Sequence, residues 1–333
     1  NEYEIKIHKI WKINYRYFLR IDNCKILIDN NDIICHSNIM LEEETKMRTN
    51  INYIKSIKKR YLIIQPLHGL GNKLRVISSA YSICKINNFH LIVNWIEDIH
   101  CNCKFSELFN NTEFTFIYEK LSIHNLTDMN INFYDYMSIS GGTPGQYINF
   151  SDKNRNYFIK SDNILNCQEI NHTDYNKNVN DFFQKLNYED DIKRSLSNTS
   201  DYIGLHIRMV DEKLPCEKYY GNWTSKEDNI VNKNRKLSNI NVFIDIINYI
   251  LKEKPDTIFY VSSSIISNYK KLTDIFGNER IKYYHRDKAD RSKEQIKLAL
   301  IDILNLAQCK LFISSFYSSF SDIVLYFNPN IKN

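Results

Sequence analysis

From Tyr61 onward, short unbroken apolar runs alternate with longer segments in which apolar residues recur at three- and four-residue spacing. Unbroken runs suit strands covered on both faces, and the wider spacing suits helices with one buried face. The pattern predicts strands at Tyr61–Gln65, Leu91–Trp95, Phe114–Tyr118 and Tyr157–Ile159, then over Tyr202–Ile207, Thr257–Ser262, Ile281–Tyr284 and Leu311–Ser314. Helices are predicted over Asn72–Ile86, Val179–Leu186 and Asp191–Leu196. Another opens at a Ser238 cap, with Phe243, Ile246, Ile247 and Ile250 on one face and Pro255 beyond its end. Further helices fall at Ile266–Phe276, Ser292–Ala307 and Ser318–Tyr326. Strand and helix alternating in this way make parallel sheets covered on both faces. The expected fold class is therefore α/β, with two Rossmann-like domains, 61–198 and 199–333, facing across a cleft.

Residues 1–60 follow a different rhythm. Apolar clusters at Tyr3–Ile10, Tyr15–Ile21, Lys25–Ile28 and Ile33–Cys35 are separated by Asn-Asp turns, which predicts a small β-rich N-terminal extension. A charged segment, Glu42–Lys46, and a basic connector, Lys55–Arg60, follow it. No residue pattern there carries chemistry.

Candidate chemistry gathers where strands run out. His206, Arg208 and Asp211 stand at the end of the apolar run 202–207. In open α/β sheets a ligand sits beyond the carboxyl ends of the strands, and an arginine there offers a fixed cation with a planar fork of donors suited to phosphate. The same pattern fits a strand end whose histidine and arginine satisfy local carbonyls and a surface carboxylate. Pro66–Gly71 is a glycine-rich turn feeding a helix N-terminus, a place that favours an anion, although Lys73 and Arg75 then stand in a first turn whose dipole disfavours them. A tight βα turn with solvated basic residues accounts for it equally well. Asp302 lies between Ile301 and Ile303 in the most apolar part of its helix, where a carboxylate needs a partner. Serines 314, 315, 318 and 319 crowd a strand–helix junction, more hydroxyls than capping alone requires.

Composition narrows the classes. The 333 residues are 43% hydrophobic and 25% charged, which describes a globular chain long enough for about two domains, with no apolar run of membrane-spanning length. The net charge of +5 is spread over both halves, so nucleic acid is not the expected partner, while an anionic small ligand is. Eight cysteines without C-x-x-C spacing read as scattered reduced thiols rather than a zinc site. Only 8 Gly and 5 Pro stand against abundant Asn, Ile, Lys and Tyr, a bias that also supplies the six glycosylation sequons by composition. The chain begins at Asn1 without a methionine, which suits a segment fused to further domains.

Four motifs in the same order resemble those of the GDP-fucose-dependent α1,2/α1,6/protein O-fucosyltransferase superfamily. They are G-L-G-N-K-L-R at Gly69–Arg75, H-I-R-M-V-D at His206–Asp211, F-Y-V-S-S-S at Phe259–Ser264, and the stretch Arg291–Ser321, together covering about 61–327. The resemblance implies a GT-B fold and an inverting, metal-independent transfer of L-fucose from GDP-fucose, with no metal or other cofactor, to a glycan or glycoprotein acceptor. The domain 61–198 would then be the acceptor side and 199–333 the donor side. Transfer of another 6-deoxysugar, or a catalytically silent glycan-binding module of the same fold, are the alternatives.

Carried onto this sequence, the resemblance gives Arg208 the donor β-phosphate, His206 the shaping of the same pocket, and Asp302 a hydrogen bond to guanine. Ser318 and Ser319 resemble the hydroxyls that contact phosphates, and Gly69, Gly71 and Asn72 the loop that approaches the donor, with Arg75 as a second cation. Met209 stands where the α1,6-type enzymes carry a second arginine, and Ser262 where many relatives carry an acid. Lys213 and Glu217 resemble the lysine–glutamate relay of the α1,6 branch after one inserted residue, with Asp211 and Glu212 nearer the motif. Glu217 is the favoured acceptor base, with Asp211 as the other choice. The compositional bias suits a viral or protist multidomain glycosylation enzyme, with a cytoplasmic setting favoured over the Golgi lumen.

Overall fold

The computed structural model describes residues 7–13, 16–21, 24–29, 32–36, 38–111, 114–121, 126, 129–167, 171–209, 233, 234, 236–288 and 290–333, with side chains from residue 45 onward except at 139. It divides into two compact units, 1–58 with 119–129, and 59–118 with 130–333.

The first unit holds an antiparallel meander, β1 (Ile7–Ile13), β2 (Arg16–Ile21), β3 (Cys24–Asp29) and β4 (Asp32–His36), then helix α1 (Asn38–Ser56). The Asn-Asp turns predict the meander. The helix falls on what reads as a charged segment and connector. Among its described side chains only Ile54 is fully enclosed, so its apolar face is too thin to mark it in the sequence. Asn50 Nδ2 donates to Glu119 Oε2 at 2.6 Å, which joins the 119–129 segment to this helix.

The second unit carries two parallel sheets. In the first, β5 (Tyr61–Pro66), β6 (His90–Asn94), β7 (Thr115–Ile117), β8 (Ile131–Asp135) and β10 (Asn156–Ser161) are ordered β7-β6-β5-β10-β8. A two-stranded pair, β9 (Tyr147–Ile148) and β11 (Asn166–Cys167), lies apart from it. In the second sheet, β12 (Ile203–Ile207), β13 (Phe259–Ser263), β14 (Ile281–Lys282) and β15 (Leu311–Ile313) are ordered β14-β13-β12-β15. Every residue of β5, β12 and β13 is buried, the reason these strands read as unbroken apolar runs.

Helices cover both sheets: α2 (Leu70–Asn87), α3 (His172–Lys185) and α4 (Asp190–Arg194) accompany the first, and α5 (Ile240–Glu253), α6 (Ser267–Phe276) and α7 (Lys293–Gln308) the second. The last helix, α8 (Ser319–Phe327), leaves the second sheet and packs on α2 and α3. Its Tyr326 ring stacks on Phe183 at 5.2 Å. One apolar core accordingly runs from the helices of the first sheet into α7 and α8, while a second lies on the other face of the second sheet.

Two helix starts differ from expectation. Asn239, not Ser238, caps α5, its side chain accepting from the Asn241 amide, because Ser238 Oγ instead accepts from the Phe316 amide. Helix α3 begins seven residues before the predicted Val179, at His172, where Asn171 caps it through the Thr173 amide. Cys84, Cys101, Cys103 and Cys309 are free thiols. Among the described residues no helix is long and apolar enough to cross a membrane.

Candidate functional site

Sheet order locates the crevices. From β5 the chain moves outward through β6 to β7, then returns to place β10 on the other side of β5. From β12 it moves through β13 to β14, then places β15 on the other side of β12. Each reversal leaves a crevice outside the carboxyl ends of two neighbouring strands, where open α/β sheets receive ligands. The crevices lie beyond β5 and β10 in the first sheet and beyond β12 and β15 in the second. The described residues at these ends are 67–69, 162–165, 208–209 and 314–318.

At the β12 and β15 ends, Ser315 organises the turn. Its Oγ donates to the His206 carbonyl at 2.5 Å and accepts from the Arg208 amide at 2.7 Å, so it fixes the backbone that carries the Arg208 guanidinium. Arg208 is partly exposed just past the strand, a position from which a fixed cation reaches a bound anion. Among the described residues the hydroxyls of Ser314, Ser318 and Ser319 have no hydrogen-bond partner. Ser318 is the N-cap of α8 without a side-chain capping bond, and it leaves the helix N-terminus to other acceptors. Tyr317 holds a left-handed backbone, φ 55°, an uncommon conformation for an aromatic residue.

His206 itself is enclosed. Nδ1 pairs with Ser321 Oγ at 2.8 Å and the ring stacks on Phe320 at 4.3 Å, which pins the first turn of α8. Burial, then the charge of Arg208, lowers its pKa to about 3, so it is a neutral imidazole.

The glycine loop approaches from the first sheet. A Cβ on Gly71 would stand 3.0 Å from the carbonyl carbon, carbonyl oxygen and Oγ of Ser319, so any other residue there would push α8 away from this close approach to α2. Gly69 caps α2 with an extended backbone and Asn72 accepts from Arg75 Nη2. Arg75 is committed elsewhere: Nη1 pairs with Asp322 on α8 at 3.2 Å and Nη2 donates to the Asp162 carbonyl. These contacts tie the two sheets together. Lys73, fully buried, donates to the carbonyls of Pro66 and Ile96 and faces Trp95, which explains a cation in the first turn of a helix. Burial pushes its pKa down, with Asp98 opposing.

Asp302 has partners on every side. Tyr260 Oη donates to Oδ1 at 2.7 Å, Ser262 Oγ donates to Oδ2 at 2.8 Å, and Arg286 Nη2 pairs with Oδ2 at 2.5 Å. The carboxylate is fully enclosed, and burial pushes its pKa up with Arg286 working against the shift. All three of these partners belong to the second sheet and the loop after β14. Of the serines in Phe259–Ser264, Ser262 belongs to this network, whereas Ser263 Oγ accepts from the Ile265 amide and from Asn268 Nδ2.

Asp211, Lys213, Glu212 and Glu217 lie outside the described residues. Sequence reasoning missed His68, which pairs through Nδ1 with Asp162 Oδ2 at 2.9 Å beyond β5 and β10, and Arg286, which comes from the loop after β14. Neither carries a local motif. Among the described residues no group of three metal-ligating side chains comes together.

No protein-family profile and no curated protein matches the chain. Solved structures do. The chain is similar to NodZ alpha-1,6-fucosyltransferase soaked with GDP-fucose, with TM-score 0.50 and 14% identity over 82% of this chain and 94% of that one. It is likewise similar to fucosyltransferase NodZ from Bradyrhizobium, with TM-score 0.50 and 16% identity over 82% and 95%. POFUT1 in complex with GDP matches at TM-score 0.49 and 12% identity over 81% and 95%. The chain shares the GT-B fold of the NodZ enzymes.

Proposed function

We propose that this chain is an inverting glycosyltransferase that moves L-fucose from GDP-fucose to a glycan or glycoprotein acceptor without a metal ion. One observation carries the reading. Arg208, set by Ser315, the open hydroxyls of Ser314, Ser318 and Ser319 and the N-terminus of α8 all meet at the reversal point of the second sheet. In the same fold, NodZ has been solved after soaking with GDP-fucose.

As the bond from the anomeric carbon to the diphosphate breaks, negative charge grows on the leaving GDP. Arg208 is the fixed donor that stabilises this charge, joined by the hydroxyls of Ser318 and Ser319 and the first amides of α8. Gly71 lets the other sheet's loop, with Gly69 and Asn72, close to within contact of Ser319, which brings an acceptor-side crevice beside the donor.

Thermal shift with GDP, UDP, CDP, dTDP and their sugar conjugates, in the presence of a chelator, tests this. A ligand at about a hundredfold over its dissociation constant stabilises the fold by about 2.7 kcal/mol. Stabilisation confined to GDP and GDP-fucose, and lost in Arg208→Ala, is the expected result. A preference for UDP or dTDP would remove fucose, GDP binding without sugar transfer would leave a silent module, and metal-dependent transfer would contradict the mechanism.

A further inference from the structure

We infer that His68, oriented by Asp162, is the general base that takes the proton from the acceptor hydroxyl; this rests on the donor reading above. The pair stands at the reversal point of the first sheet. Pro66 and Ser161 are register partners at the ends of β5 and β10, and the Leu67 amide still donates to the Ser161 carbonyl at 2.9 Å. The next residue of each loop is His68 and Asp162. Their side chains, 29% and 32% exposed, are open enough for a ligand to touch.

Three features aim the imidazole. Nδ1 faces Asp162 Oδ2 at 2.9 Å, and among the described residues Nε2 has no hydrogen-bond partner. A carboxylate on Nδ1 selects the tautomer that leaves Nε2 as the acceptor, and it stabilises the imidazolium formed when a proton arrives. His68 also adopts a left-handed backbone, φ 65°, which a β-carbon disfavours and which Asn or Gly would take more easily. Strain of this kind on a half-exposed crevice residue points to a side chain retained for chemistry. Finally, the His100 ring lies 4.8 Å away on one side, and Arg75 holds the Asp162 carbonyl. The same arginine pairs with Asp322 on α8, so the base is tied to the donor half.

The titratable and charged groups facing His68 are Asp162 beyond β10, the neutral His100 in the loop after β6, and Arg75 on α2 through the Asp162 carbonyl; Asp98, Lys73 and Arg291 surround His100 in turn. In the transfer, the acceptor O–H proton passes to His68 Nε2. The oxygen lone pair forms the bond to the anomeric carbon from the face opposite GDP, and the carbon–oxygen bond to the β-phosphate breaks with its electron pair leaving on GDP, beside Arg208. The proton then leaves His68 for solvent. No other co-reactant is required.

The test compares wild type with His68→Asn, Asp162→Asn and Glu217→Gln for GDP binding by calorimetry and for GDP release from GDP-fucose, with water and with galactose- and N-acetylglucosamine-terminated oligosaccharides as acceptors. Expected for His68→Asn is a fold at least as stable as wild type, GDP affinity within about twofold, turnover lower by about a hundredfold or more, and loss of the acid limb of the pH profile. Asp162→Asn should fall in the same direction by a smaller factor. Turnover and pH profile unchanged in His68→Asn, with the loss found in Glu217→Gln instead, would overturn the base while leaving the donor reading intact. A wild-type protein that ignores GDP would end the donor reading and with it this one, and a protein that binds GDP but releases none from GDP-fucose would be a silent module, which ends the transfer and the base together while GDP binding stands.

Discussion

Arg75 on α2 and Asp322 on α8 face each other at 3.2 Å, and this pair joins the helix that opens the first sheet's glycine loop to the helix that closes the second sheet's serine loop. Asp322 is nearly half exposed, so the ionic part of the pair is worth little, about 0–1 kcal/mol. The rest of Arg75 matters more, because its Nη2 also satisfies the Asp162 carbonyl and Asn72. In a denaturant double-mutant cycle, Arg75→Ala should destabilise by about 1–3 kcal/mol, Asp322→Asn by less than about 1, and the coupling should stay below about 1. A coupling of several kcal/mol would show that the charge pair, rather than the carbonyl ties, holds the two helices.

Gly71→Ala tests the close approach at the same junction. The added carbon would stand 3.0 Å from the Ser319 carbonyl carbon and oxygen as well as Oγ. Two of those three atoms are backbone, so the helices must separate rather than a side chain turn away. The expected loss is about 1–3 kcal/mol, with weaker GDP binding, and Ser319→Gly should fail to restore either. Full rescue by Ser319→Gly in thermal denaturation and calorimetry would show that only the hydroxyl was in the way.

The parts of this fold legible in the sequence are those in which one strand or one helix declares itself. Tyr61–Gln65 and Phe259–Ser263 are buried on both faces and read as unbroken apolar runs, whereas edge strand Ile131–Asp135 is half exposed, carries Asn132 and Asp135, and escapes that test. Arg208 and the serines of 314–319 were visible because strand end, cation and hydroxyls are adjacent in the chain. Asp302 announced a partner but not its identity. Arg286, Tyr260 and Ser262 reach it only through the packing of β13 and the loop after β14 on α7. His68 and Asp162 were invisible for the same reason, since only the pairing of β5 with β10 brings them together.

The Asp302 network makes a sharp prediction. Arg286→Ala leaves a fully buried carboxylate with two neutral donors, Tyr260 and Ser262, and should destabilise by about 3–5 kcal/mol. Adding Asp302→Asn removes the stranded charge, so the double variant should recover part of that loss in urea titrations. A double variant less stable than Arg286→Ala alone would show that Asp302 is held mainly by its hydroxyl partners.

His206 links stability to pH in the opposite direction from a salt-bridged histidine. Burial lowers its folded pKa to about 3, while the unfolded chain titrates near about 6.5, so between these values the unfolded state binds the extra proton. Stability is therefore complete above about pH 6.5 and declines as the pH falls toward 3, with a limiting slope of about 1.4 kcal/mol per pH unit from this group. His100, lowered to about 4 by burial and by His68, adds to the decline with the same sign. His206→Gln should be less stable than wild type at pH 7.5, because the Ser321 bond and the stack on Phe320 are disturbed, yet lose less on acidification. Urea midpoints of both proteins at pH 7.5, 6, 5 and 4.5 read this out directly. Parallel curves would mean that His206 takes up its proton in the folded state, and that the imidazole behind Arg208 is charged where the structure holds it neutral.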